Sequence, residues 1–276
     1  MRFAMPAPPL RWSAELYWQV ARRGFRRFAT YRAATFAGVF TNTVFGFLRA
    51  YVFVAVFAAR GAIGGYDARD TLTYTFVAQG LLATVYMFGW WEIALGIRSG
   101  DVVTDLYRPY DYQGYWLAQD LGRGLYHALY RGIPPFLFGL LVFRLLVPHN
   151  PLLWAAFVLS MALAICVSFA LRFLINLSAF WLLDYRGPGV LMLAASNFLS
   201  GMLVPITFFP GALRTIATLL PFAAVIQTPV DVWLGKDQGW GLAGALAGQA
   251  AWAIALLLLG RLLLRAALKK LVVQGG

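Results

Sequence analysis

The sequence predicts an all-α integral membrane protein: six transmembrane helices, an amphipathic N-terminal interfacial helix, and short re-entrant helices between spans five and six. Three observations carry this. Of 276 residues, 61% are hydrophobic and only 12% charged, whereas soluble domains run near half apolar and a quarter charged. Six stretches reach the roughly 20 mostly apolar residues that cross a hydrocarbon core about 30 Å thick. The basic residues gather on alternate connections between those stretches, as the positive-inside rule requires.

The spans are read at about 34–58, 71–93, 125–147, 152–183, 189–210 and 241–264, within one domain covering 1–276. They must be helical, because their period is wrong for a barrel and lipid leaves unpaired backbone without partners. The fourth is long enough to tilt or to extend past the membrane. The first apolar run begins only near Ala33, behind an Arg-rich segment. Insertion is therefore expected through the chain's own spans rather than a cleaved signal.

Orientation follows from the flanks. Arg2, Arg11, Arg22, Arg23, Arg26, Arg27 and Arg32 precede span one. Arg98, Arg108 and Arg123 lie between spans two and three, Arg186 between four and five, and Arg265, Lys269 and Lys270 after six. The opposite connections hold only Arg60, Arg69, Arg214 and Lys236. Both termini are thus expected in the cytoplasm. The net charge of +12 is read as topology, and no nucleic-acid partner is expected.

Segment 12–32 mixes Trp12, Leu16, Val20 and Phe28 with Arg22, Arg23, Arg26 and Arg27. That spacing allows one apolar and one basic face, the pattern of a helix lying at the headgroup level near anionic lipid; a plain orienting flank is the alternative. Between spans five and six, Leu213–Val232 is largely apolar yet broken by Pro221 and Pro229. With Pro205 and Pro210 this predicts short helices dipping into the outer leaflet, where only protein or a water-filled cavity shelters irregular backbone.

Catalytic signatures are missing. Two histidines, His127 and His149, exclude HExxH, and Gly235–Lys236 is followed by Asp237, without the upstream glycine of a phosphate loop. No GxSxG elbow occurs, and the lone Cys166 excludes an internal disulfide and a multi-cysteine metal site. No enzyme, metal or nucleotide site is expected in this chain. Charges within spans are the default functional suspects: Arg49, Arg144 and Arg172, with Glu92 at the inner end of span two as the only carboxylate suited to proton coupling. Arg144 lies near enough to the outer end to snorkel, and helix-to-helix pairing is the ordinary alternative for the others. The stripe Ala243, Gly244, Ala247, Gly248, Ala251 and Ala255 in span six reads as close helix packing.

Two segments go beyond generic membrane character. The link between spans two and three reads Ile97–Arg98–Ser99–Gly100–Asp101, then Leu106–Tyr107–Arg108–Pro109. Span five and its appendage read Ser200–Gly201–Met202–Leu203–Val204–Pro205, then Phe209–Pro210, Leu220–Pro221–Phe222 and Pro229. With six spans and both termini inside, the chain resembles ABC-2 type exporter permeases of the bacterial cytoplasmic membrane along essentially its whole length.

That resemblance implies a half-transporter, a dimer of identical or paralogous permeases on two cytoplasmic ATPase subunits that bind the ATP and magnesium. It also implies a coupling helix over Gly100, Asp101, Asp105, Arg108 and Pro109, seated in a groove of the ATPase. The residues agree: Asp101 and Asp105 suit the start of a short helix, and Pro109 cannot continue it. The family places route and dimer interface around spans one, two and five. Carried onto this chain by position and chemistry, Asn42, Arg49, Tyr86, Trp90 and Asn197 are candidate route residues, and Phe208 and Phe222 candidate gate residues. The implied function is ATP-driven export of an amphiphilic or hydrophobic compound by alternating access. An ion-coupled multidrug carrier, or a non-transport scaffold or enzyme, is the alternative.

Overall fold

The computed structural model describes residues 14–86, 90–182 and 185–269. Trp12 and the start of the interfacial helix, Arg2, Arg11, Leu183 of span four and Lys270 lie outside the described residues. Among those described, twelve α-helices and no strand occur.

The amphipathic segment folds as α1 (Ala14–Ala29) and span one as α2 (Arg32–Ala59). α1 lies along α6 (below), burying Val20 and Gly24. A Cβ at Gly24 would stand 2.3 Å from the Gln119 carbonyl oxygen, and one at Gly122 1.8 Å from that of Ala21. The two backbones therefore touch, and the interfacial helix is bolted to the protein rather than floating on its surface. α2 turns Phe36, Phe40, Phe45 and Leu48 outward.

Span two was expected as one helix over 71–93, and here the structure differs. α3 (Ala68–Thr84) starts on a capping box between Asp67 and Asp70 and stops at Thr84. Tyr86 takes φ +55°, and the chain resumes as α4 (Glu92–Ser99), capped by Gly100 at φ +84°. The short α5 (Val102–Tyr107) follows. Hydropathy cannot see the break, because the residues there are apolar and the groups that hold it come from other helices.

In the segment expected as span three, at 125–147, helix begins earlier. α6 (Tyr112–His127) runs through a π-helical segment, Ala128–Gly132, into α7 (Ile133–Val142), after which Phe143 is extended. Pro134 and Pro135 offer no N–H to the carbonyls four residues back, and a widened turn relieves the clash of their rings. α8 (Pro151–Leu177) is the core helix of span four and gives way to a 3₁₀ turn at Ser178–Phe180. Span five is helical only over α9 (Arg186–Leu199) and breaks at Ser200–Pro205, eleven residues before the end expected at 210.

The connection between spans five and six holds two short helices, α10 (Gly211–Leu219) and α11 (Gln227–Leu234), before α12 (Trp240–Leu268). α2, α8 with its 3₁₀ turn, and α12 are long and apolar enough to cross a membrane. The main apolar core joins α3, α8, α11 and α12. A second joins α4, α5, α6, α8 and α12. α12 packs through Leu242, Gln249, Ala253, Leu256 and Gly260, while a Cβ at Gly244 or Gly248 would meet nothing within 4 Å. The small-residue stripe thus faces outward and takes no part in packing this chain. Only the register of the buried Gln249, bonded to Ser160 and the Ala224 carbonyl, decides which face that is.

Candidate coupling and transport site

The segment Gly100–Pro109 forms a small lever. Val102 and Leu106, one turn apart, are buried in the second core against Ile93, Tyr112, Trp116 and Phe173. Asp101, Tyr107, Arg108 and Pro109 are exposed and Asp105 half-buried. Asp101 does not cap the helix with its side chain; its carboxylate accepts from the Ser99 hydroxyl at 2.6 Å. Arg108 pairs with Asp105 at 3.5 Å and donates to the Tyr110 hydroxyl at 3.4 Å. The Tyr110 hydroxyl first, then Asp105, holds the Arg108 guanidinium above its ordinary pKa. The helix ends at Tyr107 because Arg108, preceding proline, is pushed to an extended conformation (φ −71°, ψ 142°). A cleft of about 350 Å³ opens beside it, lined by Arg23 and Arg27 of α1, Glu92, Asp105, Trp116 and Gln119.

The lever joins α3 across the break in span two, and that break is tied by charge. Arg123 donates to the carbonyls of Ala83 (2.8 Å) and Thr84 (2.9 Å), which have no helical partners at the end of α3. The Ser168 hydroxyl takes the Val85 carbonyl at 2.5 Å. The Asp120 carboxylate accepts from Arg123 and from Arg172, each at 2.7 Å. Both guanidiniums also lie against the Tyr86 ring, 4.5 and 5.5 Å from its centroid, contacts that offset the cost of about 1–2 kcal/mol for a non-glycine residue in the left-handed region.

Sequence reasoning took Arg123 for a loop charge, left Arg172 without a named partner, and passed over Asp120. An aspartate three residues before an arginine on a helix was the available signal. The expectation that Glu92 is the only carboxylate of its kind is corrected as well. Glu92 is exposed and pairs with Arg27 at 3.2 Å, whereas Asp120 and Asp70 are carboxylates buried in the fold.

The break in span five is tied by a second network. Gly201 sits at φ +85° with the Tyr74 hydroxyl where its Cβ would point, 2.4 Å away, so only glycine suits this position. The Tyr74 hydroxyl lies 2.8 Å from the Gly201 carbonyl and 2.9 Å from Gln227 Oε1, its single proton shared between these acceptors, and Gln227 Oε1 also accepts from the Ile206 N–H. Gln227 Nε2 donates to Tyr66 and Asp231, which bond each other. Arg49 closes the set, donating to the Met202 carbonyl at 2.8 Å.

Of the candidate route residues, Tyr86 and Trp90 converge on Arg172, whose guanidinium lies 5.6 Å from the Trp90 ring. Arg49 reaches the span-five break. Asn42 stands apart, donating weakly to the Gln79 carbonyl at 3.4 Å, and Asn197 bonds within its own helix. Phe208 packs on Phe53, Phe57 and Tyr66, and Phe222 against the main core. An apolar groove of about 410 Å³ between α3, α7 and α8 includes none of these residues.

No curated protein and no solved structure matches the chain. A family model described as ABC-2 family transporter protein matches residues 42–275, a range that takes in the lever, both broken helices and all the candidate route and gate residues. The chain therefore belongs to the ABC-2 transporter family, the membrane component of transporters that work with an ABC ATPase.

Proposed function

We propose that this chain is the permease subunit of an ATP-driven exporter in the bacterial cytoplasmic membrane. Two ATPase subunits bind ATP and magnesium, and two permeases, identical or paralogous, form the route. The supporting observation is the lever α5, rooted in the core by Val102 and Leu106 with its charged edge turned outward. A push on that edge reaches α4 and α6 through packed side chains, and α3 through the Asp120–Arg123–Arg172 knot. ATP binding would move the lever and open the bundle outward, releasing an amphiphilic or hydrophobic cargo. Asp120, held by two guanidiniums, is poorly placed to load the proton an ion-coupled carrier would need.

The test is co-purification of the tagged chain with the ATPase encoded beside it, then ATP hydrolysis and cargo efflux in proteoliposomes. Arg108→Ala should insert normally yet weaken assembly about tenfold or more, as loss of one partner of a buried interfacial charge pair does, or uncouple hydrolysis from efflux. Pro109→Ala should act more mildly by letting the helix run on. Normal assembly and efflux in Arg108→Ala, or an equal loss in the exposed control Arg60→Ala, would sink the assignment.

A further inference from the structure

One half-buried cation is left out of both networks. Arg131 lies in the π-helical segment, where a widened turn re-aims side chains and frequently marks a functional site. Its guanidinium occupies the space that a Cβ of Gly38 in α2 would fill, with Nη2 only 2.1 Å from that position. The seam is built to admit it, by a widened turn on one side and a missing side chain on the other. Yet Arg131 has no hydrogen bond or ion pair among the described residues, and its Nε is buried and unsatisfied.

The surroundings do not supply the missing charge. Asp120 already serves Arg123 and Arg172 and makes no ion pair with Arg131. His127, one turn before Arg131 and 4% exposed, has its Nδ1 buried without a partner. On the facing helix Thr35 bonds Tyr126. A partly desolvated guanidinium beside an unpaired imidazole is costly unless an acceptor of opposite charge completes it. Both elements also carry exposed apolar side chains, Phe36 and Phe40 on α2 and Leu129 and Tyr130 in the π-helical segment. What completes the site must therefore carry an oxyanion and tolerate an apolar setting.

We infer that Arg131, with His127 behind it, binds the phosphate or carboxylate headgroup of an anionic amphiphile in the seam between α2 and the π-helical segment. The inference takes only the bilayer setting from the proposed function, not coupling to an ATPase. A bidentate guanidinium–oxyanion contact fits the planar fork of arginine, and the apolar exposed surface of both elements suits a headgroup carried by a membrane amphiphile.

The test uses the full chain in nanodiscs of equal parts phosphatidylglycerol and phosphatidylcholine, with retained lipid identified by native mass spectrometry. Wild type should retain phosphatidylglycerol preferentially. Arg131→Gln should lose that preference about tenfold, the effect of one charge-assisted contact, while Arg60→Gln should keep it. Gly38→Ala keeps every charge but displaces the guanidinium. It should lose the preference too, with a melting temperature near wild type, and it stands in if Arg131→Gln does not fold.

No preference in wild type, or an unchanged one in Gly38→Ala or in folded Arg131→Gln, overturns the site. Displacement by inorganic phosphate alone also overturns it, since the ligand would then be a free ion. Movement of the retained lipid across proteoliposomes on ATP marks it as cargo, and retention without movement marks it as resident; both support the site. Loss of ATP-driven transport with retention intact would count against the permease reading and leave the site standing.

Discussion

Asp120→Asn tests the knot that joins the lever to span two. Asp120 is 5% exposed and accepts from two guanidiniums, Arg123 Nε and Arg172 Nη2, each at 2.7 Å and each nearly as buried. The amide keeps the shape and removes the charge, so both cations lose their counter-ion inside the protein. Breaking a buried pair by removing one partner costs about 3–5 kcal/mol. With an unfolding entropy of roughly 2 cal/mol/K per residue, a chain of this length should melt about 5–10 °C lower. The comparison is Glu92→Gln, because Arg27 and Glu92 pair at 3.2 Å with about half their side-chain surface exposed, where a bridge is worth about 0–1 kcal/mol. The assay is thermal unfolding of the purified chain in one detergent, with the double variant Asp120→Asn/Arg172→Gln completing a cycle. Direct coupling requires the double variant to lose less than the sum of the singles, by about 0.5–3 kcal/mol. Asp120→Asn melting alongside Glu92→Gln, or strict additivity in the cycle, would refute the argument.

Other outcomes follow from the same structure. Gly201→Ala should destabilise by about 1–3 kcal/mol, because its φ disfavours a side chain and the Tyr74 hydroxyl fills the Cβ position; denaturant titration beside Gly244→Ala, where a Cβ meets nothing, is the check. Gln227→Leu should cost about 1–3 kcal/mol by stranding the Ile206 N–H and removing the amide donor to Asp231, read as lower melting and faster proteolysis at Ser200–Pro205. Asp67→Ala should cost about 1 kcal/mol through loss of the capping box, measured the same way. For orientation, cysteines at Asp67, His149 and Lys236 should label from outside intact cells and one at Arg186 should not; the reverse pattern would overturn the cytoplasmic placement of the termini.

What the sequence determined by itself is whatever depends on composition and local steric rules. The excess of apolar residues dictates helices, and lipid-length runs place α2, α8 and α12 within a few residues. Pro109 fixes the end of α5 through its restriction on Arg108. Pro205, Pro210 and Pro221 bound the short helices, and the lever and span-five motifs carry the family. Tertiary structure alone decided where helices break without a local cause. α3 stops at Thr84 because Arg123 and Ser168, from two other helices, satisfy the carbonyls that a continuing helix would have used, and two guanidiniums from those helices lie against the ring of the left-handed Tyr86. No window of sequence contains those partners. The same holds for the packing face of α12, set by Gln249 reaching Ser160 rather than by the small-residue stripe. It holds also for Arg131, whose importance appears only once Gly38 is seen beneath it. A charge in a sequence shows its cost; only its neighbours in space show whether that cost is met.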